Sequence, residues 1–323
     1  YKAVDRWQNQ TGTLGTFTMS QSTTSPDGFA FSQKYDCTTA DASPASTDFL
    51  IFQHRIEAQN LQHLQYGTSG AKRITLSFHV RSNKTGTYIA ELSHGDATSK
   101  NQQSYTINSA NTWEKKTLSY VGQTSDAINN DNGIGMFIQF WLGAGSAFTS
   151  GTLTQNTWAN TDNANRAVGQ VNLADSTDNE WYITGVQLEL GEQATPFEHR
   201  SFGDELARCQ RYYEKSYQYG DAEGTGTANG VVVCDSGISS TGSRYFIFSS
   251  NDFKVTKRGF PTLTIYSQDG TVDNISKYNG SSTKVVVSSV ASEVDGSLGS
   301  YIQGDSSDTS QPYVFHWAAD AEL

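Results

Sequence analysis

Residues 73–80 alternate strictly. Ile74, Leu76, Phe78 and Val80 are apolar, and Arg73, Thr75, Ser77 and His79 are polar. A period of two puts the four apolar side chains on one face of a strand and leaves the other face polar. Comparable runs at 49–56, 86–92, 113–121, 135–142 and 181–190 are separated by turn residues. Residues 1–48 read as turn-rich with short apolar runs, such as Phe29-Ala30-Phe31 after the turn signal Ser25-Pro26-Asp27-Gly28. Many short strands without intervening helices predict an antiparallel jelly-roll β-sandwich over 1–195. One stretch breaks the pattern: Leu61 and Leu64 lie three apart within 56–66, which predicts a short helical crossover.

The pattern changes near Thr195. Ser201 to Asp204 resembles an N-terminal capping box, and Leu206, Cys209 and Tyr213 follow at i, i+3 and i+7. That spacing predicts one amphipathic helix over 202–219. Gly220–Gly230 reads as a flexible link, and apolar strand-like runs resume at 231–234, 244–248, 263–266, 283–287 and 313–317. The second domain, 196–323, is therefore predicted to hold the helix and a smaller set of strands, giving an all-β chain overall.

Composition sharpens this picture. Aromatic residues make up 12% of the 323 residues and charged residues 17%, against roughly 25% charged in ordinary globular domains. Uncharged polar residues fill the difference, a composition of the extracellular β-protein type. The net charge of −11 argues against nucleic-acid binding, which needs a basic stripe, and against adhesion to anionic lipid. No apolar run is long enough for a membrane-spanning helix. The chain opens on Tyr1 with neither an initiator Met nor a signal peptide, so it reads as a piece of a longer or processed protein. Three cysteines, Cys37, Cys209 and Cys234, do not make a disulfide framework.

Catalytic signatures are missing. There is no G-x-S-x-G elbow, no H-E-x-x-H and no phosphate-binding loop, and the six histidines lack zinc-ligand spacing. The run Gly224-Thr225-Gly226 to Gly230 is one residue too long for a dinucleotide fingerprint. A glycosidase needs two carboxylates placed in space, and none of the 33 acidic residues is singled out by spacing. No cofactor is called for. The loops around Asp131 and around Asp175 and Asp178 carry hard oxygen ligands suited to a structural calcium ion, but neither matches an EF-hand, and Asn/Asp/Gly clusters are ordinary turn chemistry. Asn9, Asn83, Asn274 and Asn279 begin glycosylation sequons at the frequency that so Asn- and Thr-rich a chain produces by chance.

Aromatic rings beside amides suit sugars, whose apolar faces stack on rings while their hydroxyls bond to polar groups. Trp158 lies in the polar stretch Gln155–Asn163. It is either a loop plug or an exposed platform, and in the second case Asn156, Asn160 and Asp162 stand ready for sugar hydroxyls. Trp7, Trp113, Trp141, Trp181 and Trp317 sit in or beside strands and read as core. Leu206, Tyr212 and Tyr213 in the helical stretch serve either the core or a subunit interface.

Several segments resemble bacteriophage tail-fibre and receptor-binding proteins with a carbohydrate-binding-module-like jelly roll. They are Phe52–Leu64, Ile74–Gly86, and Thr106 through Trp113 to Thr117. The match is strongest from Ile183-Thr184-Gly185-Val186-Gln187-Leu188-Glu189 through Ala194-Thr195-Pro196-Phe197-Glu198 to Cys209-Gln210-Arg211-Tyr212-Tyr213. This part is similar to the junction between such a jelly roll and a distal domain, and Val255–Tyr266 resembles a strand of that distal domain. The resemblance covers most of the chain. It implies a non-enzymatic virion tail-fibre component and a homotrimer, with other tail proteins and a host-surface glycan or another surface receptor as partners. The alternatives are a structural fibre or baseplate part with no receptor and a polysaccharide depolymerase. The loops near 266–282 are a second place for a receptor site.

Overall fold

The alternation at 74–80 belongs to a strand with one face in a core, where Ile74, Leu76, Phe78 and Val80 are at most 1% exposed. The computed structural model describes residues 2–4, 6–160, 162–234, 237–238, 244–247, 253–277, 284–291, 301–304 and 313–323. The chain divides into two units, residues 1–199 with Leu323, and 200–322. The first unit holds β1 (Lys2–Val4), β2 (Trp7–Gly12), β3 (Thr16–Ser22), β4 (Ser32–Thr39), β5 (Phe49–Glu57), β6 (Ile74–Ser82), β7 (Gly86–His94), β8 (Ser99–Ile107), β9 (Glu114–Tyr120) and β10 (Ile134–Ala144). A short helix α1 (Ser146–Thr149), β11 (Ala159–Asn160) and β12 (Glu180–Leu190) complete it.

These strands form an antiparallel jelly-roll sandwich. One sheet has seven strands in the order β1-β2-β5-β10-β7-β8-β11, and the other has five in the order β3-β4-β12-β6-β9. Rings from the two sheets meet between them. Phe78 packs on Phe140 with centroids 4.9 Å apart, Tyr35 on Phe52 at 5.2 Å, and Phe140 on Trp181 at 6.1 Å. Each such burial stabilises the fold by about 1.5–3 kcal/mol.

Two expectations change. Residues 1–48 hold four strands rather than turns alone, and 99–107 is a strand although its first half, Ser99–Gln103, is wholly polar. The crossover is a 3₁₀ helix, Ala58–Leu64, which buries Ala58, Leu61 and Leu64 at its three-residue period.

Where the resemblance is strongest, in β12 and the chain that follows it, the residues are scaffold. In β12, Thr184 pairs with His79 and Gln187 with Ser77, so Gly185 and Val186 together face Phe78. Gly185 has φ +60, which favours glycine, and a Cβ there would lie 2.5 Å from the Phe29 ring. The extra residue reverses the alternation, so Gln187 and Glu189 join Tyr182 and Thr184 on the outer face while Leu188 packs on the core. Gln187 and Glu189 then hold the returning chain down. Glu198 N donates to Gln187 Oε1 at 2.8 Å, and the Thr195 hydroxyl to Glu189 Oε1 at 2.7 Å. Phe197 packs on Phe29 at 5.1 Å.

Glu114 plays a similar part at the β8–β9 turn. Its carboxylate accepts from Asn108 N at 2.8 Å, Ser109 N at 3.0 Å and Lys116 Nζ at 2.5 Å. Burial works against ionisation, yet these bonds hold its carboxyl down at about 2, below the ordinary 4.5.

The second unit begins with α2 (Phe202–Gln210), capped by Ser201 Oγ accepting from Asp204 N at 3.2 Å. The sequence-predicted helix over 202–219 is therefore too long, because a strand takes over directly. β13 (Tyr213–Lys215), β14 (Val232–Cys234), β15 (Gly237–Ile238), β16 (Arg244–Ile247), β17 (Thr262–Ser267), β18 (Asn274–Lys277), β19 (Lys284–Ala291), β20 (Tyr301–Gly304) and β21 (Tyr313–Asp320) form one sheet. β21 pairs with β13, β14, β17 and β18 and carries Tyr313, Phe315 and Trp317 into a small core with Phe253, Ile265 and Ile275. Lys257 and Glu214 are buried together as an ion pair of 2.6 Å. The Gly220–Gly230 stretch is not a loose link: Thr227 N donates to Gln268 O at 3.0 Å and Gly224 N to Tyr217 Oη at 3.2 Å.

Gly185→Ala should cost about 1–3 kcal/mol, the price of a strained left-handed residue, measured by urea denaturation. An unchanged midpoint would show that the bulge accommodates a side chain. Glu114 sets an acid limit. The unfolded chain takes up a proton near pH 4.5 and the folded chain only near 2, so stability falls as pH drops through that window. Glu114→Gln should flatten this part of the melting profile, and a profile unchanged in slope would refute its role.

Candidate functional site

The outer face of the seven-stranded sheet does not have the even polar surface of a solvated sheet. Antiparallel register aligns its outward residues in transverse rows. The first, apolar row comes from Ile51, Trp141 and Ile89, and the 145–171 loop covers it with Phe148, Leu153 and Ala167. Trp141 is fully buried, with Phe148 at 5.4 Å and the Arg166 guanidinium 4.9 Å from its ring.

The second row runs Gln8–Gln53–Gln139–Glu91–Gln102, each residue in register with the next. Gln53, Gln139, Glu91 and Gln102 are all buried. The Gln53 and Gln139 amides meet at 3.0 Å, and Gln102 Nε2 donates to Glu91 Oε2 at 2.9 Å. Arg166 reaches down from the loop and clamps Glu91 from two nitrogens, Nη2 to Oε1 at 2.6 Å and Nε to Oε2 at 3.1 Å. Ser93 Oγ lies 2.8 Å from Gln139 Oε1 and 3.0 Å from Glu91 Oε1. From Gln53 to Gln102 the row is a connected polar bed with its one carboxylate neutralised, while Gln8 Nε2 donates to Leu323 O at 3.4 Å.

The third row runs Arg55–Phe137–Ser93–Lys100. Phe137 and Lys100 are half-buried, and the Arg55 guanidinium lies 5.8 Å from the Phe137 ring centre. Lys100 Nζ donates to Thr98 O at 2.9 Å. Burial pushes its ammonium below the usual lysine range, and the charge of Arg166 adds to the effect. The row crosses four strands, a span of about 14 Å at the usual strand spacing.

The loop read as a site from sequence borders this face. Ala159 pairs with Lys100 and Asn160 with Ser99, and Gln155 Oε1 accepts from Ser104 N at 3.0 Å. Its aromatic ring, however, turns the other way. Trp158 packs on the core beside Tyr66 at 5.7 Å and donates from Nε1 to Val121 O at 2.7 Å. Asn156 Oδ1 accepts from Val121 N, Asn160 Oδ1 from the Thr98 hydroxyl, and Asp162 Oδ1 from Ala164 N. These groups hold the loop in shape. Of the calcium candidates, Asp131 accepts from Gly133 N at 2.8 Å, Asp175 pairs with Lys84 and accepts from Asn179 Nδ2 at 2.6 Å, and Asp178 is exposed. Among the described residues no three metal-ligating side chains converge.

In the second unit Leu206 is half-buried and Tyr212 is buried, while Tyr213 is half-buried and donates its hydroxyl to Glu223. Residues 278–283 of the other suggested receptor loop, with the sequon at Asn279, lie outside the described residues. Sequence reasoning missed Arg55, Glu91, Ser93, Lys100, Phe137, Gln139 and Arg166. Their one signal was polar residues at outward positions of otherwise apolar strands.

Removing one partner of the Glu91–Arg166 pair strands a buried charge. Arg166→Met should cost about 3–5 kcal/mol in urea denaturation, and adding Glu91→Gln should recover part of that loss. An equal loss in the double variant would show that the packing of Arg166 on Trp141, rather than its charge, is what matters.

No family model and no curated protein sequence matches the chain. Among solved structures it is similar to the enzymatically active domain of bacteriophage CBA120 tailspike protein 4, at 13% identity and a TM-score of 0.32, covering 57% of this chain and 19% of that one. It is also similar to the CBM22-2 xylan-binding domain from Paenibacillus barcinonensis Xyn10C, at 15% identity and 0.32, covering 58% and 93%. A third is the family 11 carbohydrate-binding module of the Clostridium thermocellum cellulase Lic26A-Cel5E, at 8% identity and 0.30, covering 61% and 94%. TM-scores of this size establish neither a shared family nor a shared ligand.

Proposed function

We propose that the chain is a non-enzymatic adhesin, part of a bacteriophage tail fibre that recognises a host-surface glycan on the outer face of the seven-stranded sheet. The row Arg55–Phe137–Ser93–Lys100, seated on a buried polar bed, carries this reading. A sandwich needs only its inner faces to fold. Here the outer face holds polar side chains in fixed positions beside a half-buried ring. The platform role suggested for Trp158 passes to Phe137, whose ring is not consumed by the core. The fibre assignment rests on the resemblance of 183–213 and the other segments, as do the homotrimer and the virion location. A trimer suits a shallow site, because linked copies raise avidity by about 10²–10⁴.

Depolymerase chemistry finds no support on this face. Glycoside hydrolysis takes two carboxylates beside the bond. Glu91 and Glu57, on outward positions of these strands, are both fully buried, and Glu91 is clamped by Arg166.

The test is calorimetric titration against a panel of neutral and acidic polysaccharides and bacterial surface extracts, with reducing ends assayed in parallel. Wild type should bind at least one without releasing reducing ends. Phe137→Ala should weaken that binding about two- to tenfold, the worth of a stacked ring. Release of reducing ends would make the chain an enzyme. Failure to bind any of them, with no competition for phage adsorption, would make it a structural part.

A further inference from the structure

We propose that the sugar recognised on this face carries a carboxylate, held by Lys100; the inference rests on the adhesin reading above. Two cations, Arg166 and Lys100, stand beside one carboxylate, Glu91. Glu91 is fully engaged: Arg166 takes both its oxygens, Gln102 donates to one and the Ser93 hydroxyl lies against the other. Lys100 makes no contact with Glu91 and feels that charge only at a distance. Its in-register neighbours are Ser93 and Ala159, neither of them charged, and among the described residues its ammonium donates to the Thr98 carbonyl alone. Among the described residues no carboxylate forms an ion pair with it.

An ammonium drawn half out of water without a contacting counter-ion is costly, and an anion arriving from solution recovers that cost. The imbalance is local. The chain as a whole carries −11, so a cationic spot here runs against the rest of the molecule and does not follow from composition. Phe137 lies two strands from Lys100 in the same row, about 10 Å between backbones. A pyranose stacked on that ring has its substituents within reach of the extended lysine side chain. The ring holds the sugar face, Ser93 lies between, and Lys100 selects the acidic group.

The experiment uses affinity gels cast with polygalacturonate, alginate or hyaluronan, each beside its carboxyl-reduced counterpart, over a range of NaCl. Wild type should be retarded at least tenfold more strongly by one of the acidic polymers than by its reduced form, with retardation falling as salt rises. Lys100→Met should bring the two forms within about twofold while keeping the wild-type melting temperature, and Lys100→Arg should retain the preference. Because the protein is acidic, non-specific electrostatics repels it from these polymers and works against retardation. Equal retardation by acidic and reduced polymers, or an acid preference that survives Lys100→Met, overturns the proposal and leaves the adhesin reading standing. Retardation by none of the polymers, together with no binding in the calorimetric panel, overturns both.

Discussion

Contact between rings across the two sheets fixes the register on which everything else depends. Phe140 meets Phe78 and Trp181, and Phe52 meets Tyr35. A one-residue slip of β10 would turn Gln139 inward and Phe140 out, so burial of these rings permits one alignment. The same alignment sets Phe137 between Arg55 and Ser93, and Gln139 between Gln53 and Glu91. The outer face is thus arranged by the inner one. Residues 55, 93, 100 and 137 become neighbours through a core that none of them enters.

The two halves of that face are treated differently. The apolar half, around Trp141, is closed by the 145–171 loop as a second small core. The polar half is built on a buried hydrogen-bonded network, with Phe137 and Lys100 half-exposed and Arg55 donating to Leu323 O. Such networks add little net stability, since burying a charge pair costs about what its attraction returns. Their effect is positional. Arg166 joins the halves, packing over Trp141 and clamping Glu91, so the loop and the polar bed are held as one piece.

The architecture was largely legible because burial on one face imposes a period of two, as at Ile74–Val80. β8 was not, because Ser99–Gln103 is polar on both faces and its apolar signal begins only at Tyr105. The helix was overextended because Tyr213 falls in phase with Leu206 and Cys209, although β13 begins there; spacing alone cannot tell a helix continuing from a strand starting. Trp158 was singled out by its polar surroundings, and its hydrogen bond to Val121, 37 residues away, could not be read locally. The sheet-face row was hidden for a related reason. Its members come from four strands, and only the register, a long-range property, brings them together.

The strap made by Gln187 and Glu189 has a mechanical meaning. These side chains grip Thr195 and Glu198 just before the end of the first unit at His199. Tension entering the chain from beyond that point reaches the strap before it reaches β12. The load is shared among several short side-chain bonds and the Phe197–Phe29 contact, and it enters β12 at Gln187 and Glu189, where β6 holds the strand through Ser77 and Thr75. The strap spreads such a pull over two rungs of the sheet and an aromatic contact, so it does not fall on the free end of β12 alone.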